Sequence, residues 1–172
     1  MSEFIYNFTS LNTASLRKIA KLDNKRNVAD FLKRRGGELK ITEEVVKAAA
    51  ENLESGKKVI ALLLKQRRGE VEVIEEVVIA AAGNWRSGKE VMALLLEQRG
   101  SEVKVTEEVV KAAVGNMGSG KEVTALLLEQ RGGEVKVIEE VVKAAAGNTG
   151  SGKEVIALLL EQRGEEVVRA AA

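Results

Sequence analysis

The chain has 172 residues, 45% of them hydrophobic and 31% charged, with a formal net charge of +1 and neither cysteine, histidine nor proline. That composition excludes a disulfide framework, a thiolate zinc site, and any nucleophilic set built on Ser-His-Asp or Cys-His. No stretch approaches the run of about 18 apolar residues that a membrane helix needs, and no basic-then-apolar leader opens the sequence. The expected setting is therefore cytoplasmic, without membrane contact.

Charge is uneven. Residues 1–40 carry nine Lys/Arg against four Asp/Glu, so the rest of the chain is net acidic. Within this opening, Asn7-Phe8-Thr9 spells a glycosylation sequon, read as chance without a secretory leader. Phe4, Tyr6 and Phe8 alternate ahead of Arg17, Lys18, Lys21, Lys25, Arg26, Lys33, Arg34 and Arg35. Aromatics beside positive charge are the recipe for single-stranded nucleic acid. An extended arm and the solvated face of an end cap explain the same residues, and that reading is preferred to a nucleic-acid partner.

From the end of this opening onward, a repeat dominates. Ser-Gly-Lys begins at Ser55, Ser87, Ser119 and Ser151, a constant spacing of 32. Glu-Glu-Val-Val begins at Glu43, Glu75, Glu107 and Glu139, and Ala-Leu-Leu-Leu at Ala61, Ala93, Ala125 and Ala157. Val28-Ala29-Asp30-Phe31-Leu32 is a degenerate copy of the segment at Ile60. The chain thus divides into an N-terminal capping region over 1–36, four tandem repeats over 37–164, and a short capping helix over 165–172, where Glu-Glu-Val-Val arrives six residues early.

Each repeat predicts two helices and an extended link. In the third repeat the first helix covers Glu107 to Val114: two glutamates complement the helix dipole, and Glu107 and Lys111 form an i,i+4 pair. Gly115-Asn116 predicts a left-handed C-terminal cap. The second helix covers Lys121 to Arg131, with Ser119 and Glu122 at capping-box spacing and Val123, Leu126 and Leu127 as an apolar stripe. Gly132-Gly133 predicts its end, and Glu134-Val135-Lys136-Val137 alternates as an extended segment does. A buried strand at Val-x-Ala-Leu-Leu-Leu is the alternative; the leucines and alanines favour helix. One such unit cannot bury its own apolar face, but stacked copies can. The expected fold is an all-α α-solenoid of about four 32-residue helix-turn-helix repeats with short extended links.

The residues carry a resemblance. Glu-Val-Met-Ala-Leu-Leu-Leu-Glu-Gln-Arg-Gly-Ser-Glu-Val at 90–103 resembles the second helix and loop of an ankyrin repeat, and Ala-Ala-Ala-Gly-Asn at 80–84 the end of its first helix. The ankyrin Thr-Pro-Leu-His motif is replaced by Thr/Ile-Glu-Glu-Val, and the period is one residue shorter. The whole unit is similar to ankyrin-like tandem repeats of fungal ankyrin/NACHT (NLR-like) proteins. That resemblance implies a ligand-sensing or scaffolding array.

Two chemical motifs are better read structurally. Gly115 to Lys121, Gly83 to Lys89 and Gly147 to Lys153 have the G-x-x-x-x-G-K spacing of a phosphate loop. The next residue is Glu122, Glu90 or Glu154 where a magnesium-holding hydroxyl belongs, and the segment follows a helix; no nucleotide cofactor is expected. The paired glutamates at each first-helix start diverge by about 100° and do not converge on one point. No enzyme, cofactor or metal site is expected.

The informative residues are those that differ between near-identical repeats. Leu53, Trp85, Met117 and Thr149 share one position, and Glu54, Arg86, Gly118 and Gly150 the next. Ile60, Met92, Thr124 and Ile156 share a third, and Lys47, Ile79, Lys111 and Lys143 a fourth. Positions free to vary are expected at the surface, and Trp, Met and Arg are enriched at interface centres. Trp85, Arg86, Ile79, Met117 and Met92 are therefore the candidate partner-binding residues. The expected function is a protein-interaction scaffold with a protein partner. The alternatives are an engineered, consensus-like array without a natural partner, and self-association through the solenoid ends.

Overall fold

In a computed structural model, the described residues are 13–22, 25–35 and 40–171. They form α1 (Thr13–Leu22), α2 (Lys25–Arg35), α3 (Glu43–Ala50), α4 (Gly56–Arg67), α5 (Glu75–Gly83), α6 (Gly88–Arg99), α7 (Glu107–Val114), α8 (Gly120–Arg131), α9 (Glu139–Gly147) and α10 (Gly152–Ala171), and no strand among them. Odd-numbered helices stack in one row, each on the next; even-numbered helices stack in a second row; and each hairpin joins the rows. This is a helical repeat solenoid. The sequon at Asn7 and the aromatics Phe4, Tyr6 and Phe8 lie outside the described residues.

The two rows bury different chemistry. First helices contribute a valine pair and small residues: Val45, Val46, Ala49 and Ala50 in α3, Val109, Val110, Ala113 and Val114 in α7. Second helices contribute leucines, with Leu63, Leu95, Leu127 and Leu159 all essentially inaccessible. Burying one such leucine is worth about 2 kcal/mol. The segment Val-x-Ala-Leu-Leu-Leu is helical throughout, so the strand alternative falls. Between repeats the chain turns through a short 3-10 stretch (Arg68–Glu70, Gly132–Glu134) into an extended link. Val71, Val103 and Val135 of the links are buried while Glu72, Lys104 and Lys136 face solvent.

Local capping differs from the sequence expectation. No glycine has a positive φ among the described residues. Gly115 sits at φ −80°, ψ −8°, and Gly132 at φ −52°, ψ −38°, both right-handed, so neither forms a left-handed cap. Nor does Ser119 cap its helix. Its hydroxyl donates instead to the Asn84 carbonyl of the preceding repeat, 2.9 Å away. The glycine after each serine answers to space: a Cβ on Gly120 would stand 2.9 Å from the Ala113 carbonyl oxygen, and one on Gly152 2.5 Å from that of Ala145. Glycine there lets the second helix start against the end of the first.

Residues 165–171 belong to α10, which runs unbroken for 20 residues through Gly164. The turn and extended link that follow α4, α6 and α8 are missing from the sequence there, so nothing reverses the chain. A lone glycine costs a helix only about 1 kcal/mol.

What holds the repeats in register is a buried amide. Asn52, Asn84, Asn116 and Asn148 follow the first helices and are all buried. The Asn116 side-chain nitrogen donates to the carbonyls of Ala82 (2.8 Å) and Asn84 (3.1 Å) in the preceding repeat. Its side-chain oxygen accepts from the backbone N–H of Gly118 (3.1 Å) and Ser119 (3.0 Å) in its own turn. Asn84 and Asn148 repeat both halves of this pattern, and Asn52 reaches back to the Ala20 carbonyl of α1 at 2.9 Å. One side chain thus builds a turn and joins it to its neighbour.

Replacing Asn116 by alanine removes two donated bonds and strands two turn N–H groups. We expect a loss of about 3 kcal/mol in urea unfolding, and a larger loss for Asn116→Asp, which keeps the shape but cannot donate. Thr124 gives the opposite expectation. Its hydroxyl is buried without a hydrogen-bond partner where other repeats carry isoleucine or methionine. Thr124→Val should raise stability by about 1 kcal/mol in the same assay.

Candidate functional site

The asparagine-built turns carry the exposed apolar residues. In the α5–α6 turn, Asn84 accepts from the N–H groups of Arg86 and Ser87, so Trp85 rides on the outside of a closed loop. Trp85 is 54% exposed and Met117, its equivalent in the next turn, 62%. Successive turns touch. The Thr149 hydroxyl lies 3.5 Å from the Met117 sulfur, and a Cβ on Gly118 would fall 2.1 Å from the Trp85 carbonyl oxygen. Leu53, Trp85, Met117 and Thr149 therefore form one row across four turns. Arg86 stands beside it, ion-paired with Glu54 of the preceding turn. A shallow depression next to the row is lined by Leu53, Lys57, Lys58, Arg86 and Glu90.

Three of the five candidates, Trp85, Arg86 and Met117, come together on this ridge. Ile79 does not. It lies half-buried on α5, packed against the core, where other repeats carry lysine. Met92 is removed from the surface altogether, fully buried within α6. Variation at its position reflects interchangeable core filling: Ile60 is also fully buried, and unbranched methionine adapts to the same space.

The same turns account for the phosphate-loop spacing in physical terms. The N–H groups that a phosphate would need, those of Gly118 and Ser119 among them, already donate to Asn116. At the basic N-terminal end, Arg17 pairs with Glu44 at 2.6 Å and Lys21 with Glu51 at 2.7 Å, so part of that charge is matched by the first full repeat.

At the other end of the helix pairs runs a second ladder, which motif spacing alone did not bring forward. Arg67, Arg99 and Arg131 close each second helix and pair with Glu70, Glu102 and Glu134, all at 2.6 Å. Arg99 also donates to the carbonyls of Arg68 (3.0 Å) and Val71 (2.8 Å) one repeat earlier, and Arg131 to that of Gly100 (3.0 Å). The glutamates reach back likewise: Glu70 accepts from the Ile41 N–H at 3.1 Å. That N–H, then Arg67, holds the Glu70 carboxyl below its usual range. For Glu102 and Glu134 the Arg99 and Arg131 hydrogen bonds are the largest cause, with the N–H groups of Val73 and Val105 adding to them. The signal that could have found it is the Arg-x-x-Glu spacing, recurring every 32 residues.

Helix pairs stacked in register, locked by one asparagine per unit, define a tandem helical repeat protein. Four stretches, residues 31–59, 62–92, 94–123 and 126–155, match the family described as "Domain of unknown function (DUF7104)", and together they span well over half of the chain. The chain belongs to that family. No curated protein and no solved structure matches it. Among the described residues, no helix is long and apolar enough to cross a membrane.

The Arg–Glu ladder makes stability depend on acid. A carboxyl whose folded pKa lies below its ordinary value of 4.5 adds stability above that value, and the gain disappears as pH falls through the folded pKa. Melting temperature should therefore hold from neutrality to about pH 5 and drop below it. A variant carrying Glu70→Gln, Glu102→Gln and Glu134→Gln should start lower and show a flatter fall, read by thermal denaturation across pH.

Proposed function

We propose that this array is a protein-recognition scaffold that acts by binding and not by catalysis, and that the turn ridge is its recognition surface. The observation that carries the reading is the exposure of Trp85 and Met117 side by side on turns that buried hydrogen bonds hold rigid. A large aromatic and a flexible thioether fixed in water have unfavourable contact with solvent that a partner relieves, and a rigid presentation loses little entropy on binding. Arg86, held by Glu54, adds a directional charge at the rim.

The resemblance of the repeat unit to ankyrin-like arrays of fungal NLR-like proteins implies a ligand-sensing or scaffolding module, which is in line with this reading. A cytoplasmic setting belongs to the same proposal and fits a chain without cysteine. A protein is favoured over nucleic acid as the partner, because the most exposed members of the row, Trp85 and Met117, are apolar, and part of the basic charge of α1 is matched by Glu44 and Glu51.

Trp85 is the only tryptophan, so it also serves as the reporter. Affinity capture from a lysate, with partners identified by mass spectrometry, should be compared for the wild type and a Trp85→Ala/Met117→Ala variant of equal melting temperature. Captured proteins should bind the variant at least about 30-fold more weakly and blue-shift Trp85 emission in the wild type. Undiminished capture by the folded variant would remove the ridge from the function.

A further inference from the structure

Each second helix carries a charged stripe on its outer side, and the sign of that stripe changes along the array. Lys58, Ala61, Lys65 and Arg68 lie three or four residues apart on α4 and the turn that follows it, so they share one side. The same positions read Glu90, Ala93, Glu97 and Gly100 in the next repeat, and Glu122, Ala125, Glu129 and Gly132 in the one after. All of these lysines and glutamates are exposed. The helix α4 holds no acidic residue at all. Beside it, α2 continues the basic side with Arg26 and Lys33, against Asp30 alone. Neither Lys58 nor Lys65 has an ion-pair partner among the described residues.

The basic stripe begins at the turn ridge. The shallow depression beside the ridge is lined by Leu53 and Arg86 of two successive turns and by Lys57 and Lys58 at the start of α4. Glu54 and Glu90 also line it, and Glu54 is already taken by Arg86. Leu53 belongs to the same row as Trp85, so an apolar contact and a pair of lysines meet in one place. From Lys58 the stripe then follows α4 to Arg68, about 15 Å away. Beside Met117 the start of α8 offers Lys121 with Glu122 instead, opposite charges next to each other.

We infer that the partner received here is an acidic protein segment, with carboxylates along Lys58, Lys65 and Arg68 and an apolar side chain in the depression at Leu53, next to Trp85. The inference rests on the ridge as the recognition surface and adds the partner's charge and its place on the array. Cations gathered on one side raise the local concentration of an anionic chain and set its orientation. The change of sign limits how far that chain extends. Packed helix axes lie roughly 10 Å apart, so a chain that ran on across the array would meet Glu90 and Glu97 one helix further. A nucleic acid carries charge on every unit and cannot spare that contact. A protein segment can confine its carboxylates to the width of α2 and α4 and place an apolar residue on the ridge.

Fluorescence anisotropy with short labelled peptides tests it, one made of glutamate, leucine and serine, the other with lysine in place of each glutamate. The glutamate peptide should bind, and the lysine peptide at least about 100-fold more weakly. Lys58→Glu/Lys65→Glu writes into α4 the residues that α6 and α8 carry, so the fold should hold while the glutamate peptide binds at least about 30-fold more weakly. Lys104→Glu/Lys136→Glu makes the same change in net charge at exposed link positions and should cost no more than about threefold. Equal loss in the two variants would overturn the inference, since net charge alone would then be read. So would a glutamate peptide that does not bind, or an oligothymidylate of equal length that binds as tightly and depends on the same lysines. Trp85→Ala/Met117→Ala, expected to weaken the glutamate peptide as well, separates this inference from the reading it rests on. Loss in that variant with full binding by Lys58→Glu/Lys65→Glu keeps the ridge and removes the acidic partner; the reverse pattern removes the ridge, and the seat at Leu53 with it.

Discussion

One amide per repeat sets the geometry on which everything else rests. Each of Asn84, Asn116 and Asn148 uses both ends of its side chain: the oxygen closes its own turn, and the nitrogen holds carbonyls of the turn before it. A buried amide left unsatisfied is costly, so its four bonds tolerate little displacement. Apolar burial supplies the larger share of the driving force, but it is non-directional. Valine and leucine rows could slide past one another with modest loss. The amide cannot, and it therefore fixes the register at which the rows stack. At the far end of the helix pairs, the Arg–Glu ladder does the same for the links, in a more exposed and therefore weaker form.

This division of labour explains where variation is allowed. With the turn held by Asn84 or Asn116, the residue that follows needs only to avoid the neighbouring backbone. Leucine, tryptophan, methionine and threonine all meet that condition. The next position is more constrained: repeats with Gly118 and Gly150 bring their turns so close that a Cβ would overlap the preceding carbonyl. Glu54 and Arg86 pair across the turns that lack this glycine. The ridge is thus a variable row displayed on an invariant frame, the arrangement that lets a repeat array change its recognition surface without refolding.

The two ends of the array show that identical residues need not share an environment. Val110 and Val142 belong to the same motif, yet one is buried and the other open to solvent. At the N-terminal end the degenerate pair α1 and α2 covers α3 and α4, and Arg17 and Lys21 match acidic groups on α3 and at its end. At the other end, the Glu-Glu-Val-Val wording that opens first helices elsewhere recurs at 165–168 within α10. A repeat's stability therefore resides in its neighbours as much as in its own residues.

The 32-residue period, the two helices per unit and the stacking of units are all legible in the apolar spacing, because a helix face that cannot be buried locally must be buried by its neighbour. The absence of histidine and cysteine limits the chemistry just as directly. Local capping is not legible in the same way: Ser119 and Gly115 have the identities of caps, but one bonds to the preceding repeat and the other never leaves the right-handed region. Met92 and Trp85 vary alike in sequence, yet one fills the core and the other stands in water. Sequence spacing determined which residues share a helix face. Only the tertiary structure decided which of those faces had a neighbour, because burial and hydrogen-bond partnership depend on atoms about 32 residues away, and no local pattern encodes their distance.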